Sequence, residues 1–127
     1  MLPTLYIDHL VFRVEDLEPT AKFYRALLGE PTAQGKDFLV YKIGDATLFF
    51  TPSARPSAPY NKELPGLNHL ALGVHDPADL RKIEDHLNNS GLKHSGIGID
   101  SHGGKEYIWF NDPNGFRLEF YCRPASE

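Results

Sequence analysis

NHLALGVHD, residues 68–76, restates DHLVFRVED, residues 8–16. Histidine, leucine, valine and aspartate recur at matching places in the two stretches. In both copies apolar residues are spaced as in a strand, and the closing aspartate can cap a following helix. After the first copy, LEPTAKFYRALLGE sets Leu17, Ala21, Phe23, Tyr24, Leu27 and Leu28 at helical spacing, with Gly29 and Pro31 as the stop. Extended pieces are expected at residues 32–34, 38–43 and 46–51, the last two joined by a tight Gly44-Asp45 turn. The second copy repeats the order. Residues 67–74 read as a strand, and Asp76-Pro77 opens a helix through Leu80, Ile83 and Leu87 towards Gly91. Residues 92–98, 105–110 and 116–121 read as strands, the last two joined across NDPNG.

The chain is therefore read as α+β, a single domain spanning residues 1–127 and built from two tandem βαβββ modules. The modules cover residues 5–51 and 67–123. Residues 52–66, PSARPSAPYNKELPG, are poor in apolar side chains and read as the linker between them.

Composition narrows the function classes. A chain of 127 residues with 41% hydrophobic and 24% charged residues can bury a core of its own. Its net charge is −4 and its lysines and arginines are scattered, which argues against a nucleic-acid or anionic-membrane footprint. No apolar run approaches the ~18 residues of a spanning helix. The first residues, MLPTLYIDHL, lack a signal-peptide layout, and a lone Cys122 permits no internal disulfide, so a reduced, cytoplasmic setting is expected.

His9 and His69 hold equivalent places in equivalent strands, and Glu119 interrupts the apolar strand FRLEFY. A buried carboxylate needs a partner. Two neutral imidazoles and a carboxylate could together hold a divalent metal, leaving about half of an octahedral shell for substrate and water. The plainer alternative is that the histidines are ordinary hydrogen-bonded strand residues and Glu119 faces solvent. Arg13, four residues after His9 on the same strand face, could grip a substrate carboxylate or sit in a rim salt bridge. His102, in SHGG, could be a lid residue that moves a proton or a solvated loop histidine. Tyr107, Trp109 and Phe49 could line a pocket or fill core. His75, His86 and His94 read as surface residues, and Cys122 as a packing residue.

DHLVFRVEDLEPTAKFYRALLGE, LNHLALGVHD and NDPNGFRLEFY together resemble the vicinal oxygen chelate superfamily, which includes glyoxalase I, extradiol dioxygenases, fosfomycin-resistance thiol transferases and bleomycin-binding proteins. That resemblance implies a cup of sheet around one divalent metal per site, with His9, His69 and Glu119 at the ligand positions. Fe2+ is favoured, and Mn2+, Ni2+, Co2+ or Zn2+ are the alternatives. It also implies a small-molecule substrate chelated through adjacent oxygens, and a homodimer. One departure stands out: where glyoxalase I carries a fourth ligand, this chain has Phe49, which neither binds a metal nor moves a proton. The remaining set resembles that of extradiol dioxygenases, so dioxygenase-like chemistry is slightly preferred. The position of their active-site tyrosine holds Trp109, with Tyr107 two residues earlier. Fosfomycin transferases match less well, since Val11 replaces a hydroxyl residue and IDSHGG, residues 99–104, has no lysine. A metal-free binding protein, and a lyase or isomerase with His102 as its base, are the alternatives.

Overall fold

A computed structural model describes residues 1–55 and 58–126, so two residues of the expected linker, Pro56 and Ser57, lie outside the described residues. The chain divides into two compact units, Met1–Ala58 and Pro59–Glu127. Each carries one mixed four-stranded sheet and one helix, an α+β arrangement. No helix among the described residues is long and apolar enough to cross a membrane.

The first unit runs β1 (His9–Val14), α1 (Leu17–Leu28), β2 (Ala33–Gln34), β3 (Leu39–Ile43) and β4 (Ala46–Pro52). Its sheet has the order β1-β4-β3-β2, with β1 parallel to β4. Asp16 starts α1 as expected, its side chain accepting a hydrogen bond from the Glu18 amide. The two-residue turn after Ile43 places Gly44 at φ 57°, while no non-glycine residue among those described has positive φ, the demand of a Gly-X hairpin turn. One face of the sheet and the inner stripe of α1 form an aromatic core. Phe50 is 1% exposed, stacks on Phe12 at 5.0 Å between ring centroids, and meets Tyr24 at 4.3 Å.

The second unit repeats this as β5 (His69–Val74), α2 (Pro77–Asn89), β6 (Gly98–Ile99), β7 (Glu106–Asn111) and β8 (Arg117–Cys122), in the sheet order β5-β8-β7-β6. Asp76 accepts from the Ala78 amide and Pro77 opens α2. Leu80, Leu87, Ile108, Phe110, Leu118, Phe120 and Cys122 are its buried apolar residues among the described ones. The NDPNG turn is closed by the buried Asp112, whose Oδ1 accepts from the amides of Asn114 (2.8 Å) and Phe116 (3.0 Å).

Three strand starts differ from the sequence reading by two residues or more, and the other strand bounds by at most one. β1 begins at His9 rather than at residue 5, because its partner β4 starts at the Gly44-Asp45 turn and offers no ladder to residues 5–7. β5 begins at His69 rather than at residue 67 for the same reason, since β8 starts at Arg117. The strand expected at residues 92–98 shrinks to Gly98–Ile99. Gly96 adopts φ 77°, its amide is taken by His94 Nδ1, and the Ile97 amide goes to Glu84. Amides bonded in this way are not available to a sheet ladder.

Candidate functional site

Side chains alternate between faces along a strand, so β8 presents Arg117, Glu119 and Tyr121 on one side and its core residues on the other. The parallel register sets these three beside His69, Ala71 and Gly73 of β5. The small Ala71 and Gly73 leave room over the longer side chains of β8. The result is an open pocket of about 830 Å³ within the second unit, bounded also by Tyr107, His75, Arg123 and the loop containing Asp100 and His102. That volume suits a small organic molecule.

His69 and Glu119 come together here. Nε2 of the imidazole lies 3.6 Å from Oε2 of the carboxylate, and the Glu119 side chain is only 7% exposed. The buried carboxylate has a second partner that the sequence reading did not weigh. Arg117, two residues earlier and hence on the same face, brings Nε and Nη2 each to 3.0 Å from Oε2. Its guanidinium rests 4.7 Å above the ring of Trp109, a cation–π contact that helps hold it in place. Trp109 stands opposite Glu119 in the β7–β8 ladder and serves as the platform for Arg117. Tyr107 stands opposite Tyr121, their ring centroids 6.2 Å apart.

The loop at the far end of the pocket is organised by Asp100. Its carboxylate accepts from the amides of His102 (3.1 Å) and Gly103 (3.2 Å) and from the Tyr121 hydroxyl (2.9 Å). The His102 amide, then the Tyr121 hydroxyl, hold the Asp100 carboxyl below its usual range. Partial burial, then the bond to Asp100, push the Tyr121 phenol up, so it is a donor at neutral pH. A Cβ at Gly103 would sit 2.4 Å from the Tyr121 hydroxyl oxygen, so any larger residue there would have to displace that side chain. His102 itself is exposed at the pocket rim.

Because Asp100 has a lower pKa in the folded chain than in the unfolded one, its stabilising bonds are fully present above about pH 3.9, the unfolded value. They are lost as pH falls through the lower folded value. An NMR titration should therefore find the Asp100 midpoint below that of a free aspartate, and Tyr121→Phe should move it upward. A normal midpoint in the native protein would contradict the bonded loop.

The first unit shows which half of this chemistry was not duplicated. Val11 pairs with Phe49 as Ala71 pairs with Glu119, so Phe49 is the register counterpart of the carboxylate. His9 meets the Phe49 ring edge-on at 5.9 Å, and its Nδ1 lies 2.7 Å from Asp8 Oδ1. Arg13 donates to Thr51 Oγ1 at 3.1 Å. Among the described residues no three His, Cys, Asp or Glu side chains are grouped to hold a metal.

Several site residues escaped the sequence reading. Arg117 and Tyr121 could have been found by period two from Glu119, and Asn68 by its adjacency to His69. His75 is exposed, as expected of a surface residue, and also borders the pocket, with Nδ1 2.9 Å from the Arg123 carbonyl oxygen. Asp100 carries no signal beyond being an aspartate before two glycines. Cys122 is buried and packs, as expected.

Comparison with known proteins agrees with this architecture. Residues 6–120 match the family model described as glyoxalase/bleomycin resistance protein/dioxygenase superfamily. The uncharacterized protein YaeR of Escherichia coli is 39% identical, over 95% of this chain and 98% of its own length. A probable lactoylglutathione lyase of Synechocystis is 29% identical, over 91% of this chain and 93% of its own. The crystal structure of a glyoxalase family protein from Enterococcus faecalis is similar with a TM-score of 0.73 at 27% identity, covering 91% of this chain and 96% of that one.

Proposed function

The chain belongs to the glyoxalase/bleomycin resistance protein/dioxygenase superfamily, and on that premise we propose that it is a divalent-metal-dependent enzyme acting on a small organic molecule held through two adjacent oxygens. The observation that carries this reading is the pairing of His69 Nε2 with the buried Glu119 carboxylate, 3.6 Å apart at the floor of a substrate-sized pocket. An imidazole nitrogen and a carboxylate oxygen suit Fe2+, with Mn2+, Ni2+, Co2+ or Zn2+ as the alternatives. His69 and Glu119 are two of the ligands. His9, at the same strand position in the first unit, is the third candidate.

When bound, the metal supplies Lewis-acid stabilisation of negative charge on the chelated oxygens. The protein's own groups do the rest. Arg117 fixes the Glu119 carboxylate in one orientation. Tyr121 and Tyr107 offer hydroxyl groups along the pocket wall, and His102 is the rim group able to pass a proton to or from solvent. Arg13 is the substrate-carboxylate contact in the first unit. Phe49, standing where a second carboxylate would be, contributes apolar surface and no base. This is why a lactoylglutathione lyase reaction, the name carried by the Synechocystis relative, is not transferred to this chain. Oxygen-dependent cleavage, which needs only two histidines and one carboxylate around the metal, is the reaction class we favour.

A second reading has its own observation. The Arg117 guanidinium already neutralises Glu119, so the pocket is complete in charge without a cation and suits a protein that only sequesters a ligand. Elemental mass spectrometry on protein purified without chelators or an affinity tag separates the two. About one transition metal per chain supports the enzyme, and its identity directs the substrate screen, with catechols and oxygen first for iron. Protein that stays metal-free after incubation with each of these ions overturns it in favour of sequestration.

A further inference from the structure

A polar residue immediately precedes each of the duplicated histidines: Asp8 before His9 and Asn68 before His69. Both pairs sit where their strands begin, and both close a short contact. His9 Nδ1 is 2.7 Å from Asp8 Oδ1, and His69 Nδ1 is 2.8 Å from Asn68 Oδ1. The chemistry of the two contacts differs. An ionised carboxylate can only accept, so Asp8 by itself requires a proton on His9 Nδ1. A primary amide offers an acceptor at one end and donors at the other, so Asn68 could impose either tautomer on His69 depending on which way it faces.

The segment before β5 decides which. Asn68 Nδ2 donates to the Lys62 carbonyl oxygen at 3.0 Å. A carbonyl cannot donate, so the amide cannot be turned round without losing that bond. With Nδ2 committed to Lys62, the acceptor end faces His69 and requires the proton on Nδ1. The lone pair is then on Nε2, the atom 3.6 Å from Glu119. The Lys62 carbonyl is itself held by a built turn. Asn61 Oδ1 accepts from the Glu63 amide at 2.9 Å, and the Leu64 amide donates to the Asn61 carbonyl at 3.2 Å. The Tyr60 hydroxyl donates to the Leu67 carbonyl, and its ring packs edge-on against Phe116 with centroids 5.0 Å apart. What composition marks as linker is, over residues 60–66, a clip on the second unit.

We propose that Asn68 is a positioning residue which, anchored through the Lys62 carbonyl, fixes the neutral His69 ring as the Nδ1–H tautomer with Nε2 free to coordinate. The inference takes its purpose from the metal-dependent reading above, but its test does not depend on that reading. Long-range 1H–15N NMR of metal-free protein, at a pH where His69 is neutral, reads the tautomer directly. In the native chain His69 should show a protonated Nδ1 and an unprotonated Nε2. Asn68→Ala should move the proton to Nε2, the nitrogen that faces the Glu119 carboxylate. Asn68→Asp keeps the acceptor for Nδ1–H and loses the donor to Lys62, so it should restore the Nδ1–H tautomer while the residue 61–67 turn loosens. A simple folding defect would not be rescued in this way.

An Nε2–H tautomer in the native protein, or an unchanged tautomer in Asn68→Ala, overturns the assignment. Titration with Co2+ reports separately on the metal. Loss of an outer partner of a ligating histidine costs about 10–100-fold in affinity. Asn68→Ala should fall in that range and Asn68→Asp should recover most of it. Equal Co2+ affinity in native protein and Asn68→Ala would refute a positioning role for coordination. If native protein takes up no metal while the tautomer follows Asn68 as described, the metal-dependent reading fails and the role of Asn68 stands.

Discussion

Glu119→Ala should release the metal from the purified protein and abolish turnover. The carboxylate is the one anionic ligand of the proposed set, and it is buried, so water and buffer anions do not readily replace it. The loss of affinity should exceed the ~10–100-fold attached to an outer partner, because an inner ligand is removed. Glu119→Gln is the sharper comparison. It keeps the shape and one acceptor oxygen but loses the charge, and should retain the fold while binding metal far more weakly. Both variants leave the Arg117 guanidinium without its carboxylate. That side chain is 20% exposed and lies on Trp109, so water reaches it and the cost to folding is less than for a fully buried charge. Metal content and thermal melting measured on the same samples separate the effects. Native-like metal content in both variants would remove Glu119 from the coordination sphere, and with it the reading that rests on the His69–Glu119 pair.

Phe50→Ala should cost about 3–5 kcal/mol of stability, the range for truncating a buried phenylalanine. Phe50 is 1% exposed and sits between Phe12 on β1 and Tyr24 on α1. A smaller side chain there opens a cavity where sheet and helix meet. Typical domain stability is about 5–15 kcal/mol, so the variant should melt well below the native protein. The neighbouring Phe49→Ala is the control. It lies on the opposite face of the same strand, is incompletely buried, and should cost much less. Urea denaturation followed by circular dichroism of both variants gives the comparison. Equal losses would contradict the assignment of faces along β4.

The sequence left Phe49 open between pocket and core, and the structure assigned the two faces of β4. Strand period, the capping aspartates Asp16 and Asp76, the glycine of the Gly44-Asp45 turn and the Asp112-Pro113-Asn114-Gly115 turn are local signals. Each acts within a few residues, so the amino-acid order alone carries it. The duplication is of the same kind, and it placed His9 and His69 at corresponding strand positions. The family resemblance then named both, with Glu119, as ligands, and the strand register showed Phe49 to be the counterpart of Glu119.

What the order of residues could not supply was the partner of each polar group. That Arg117 neutralises Glu119 depends on Trp109, eight residues away, supporting the guanidinium. That Asp100 closes its loop depends on Tyr121, which reaches it across the pocket. The tautomer of His69 depends on a carbonyl in a segment that composition marks only as linker. The shortened strand at Gly98–Ile99 has the same origin, because His94 and Glu84 take amides a ladder would have used. Backbone patterns repeat and so advertise themselves in sequence. Hydrogen bonds and ion pairs between side chains are single events, met only when the chain has folded far enough to bring two distant groups within about 3 Å.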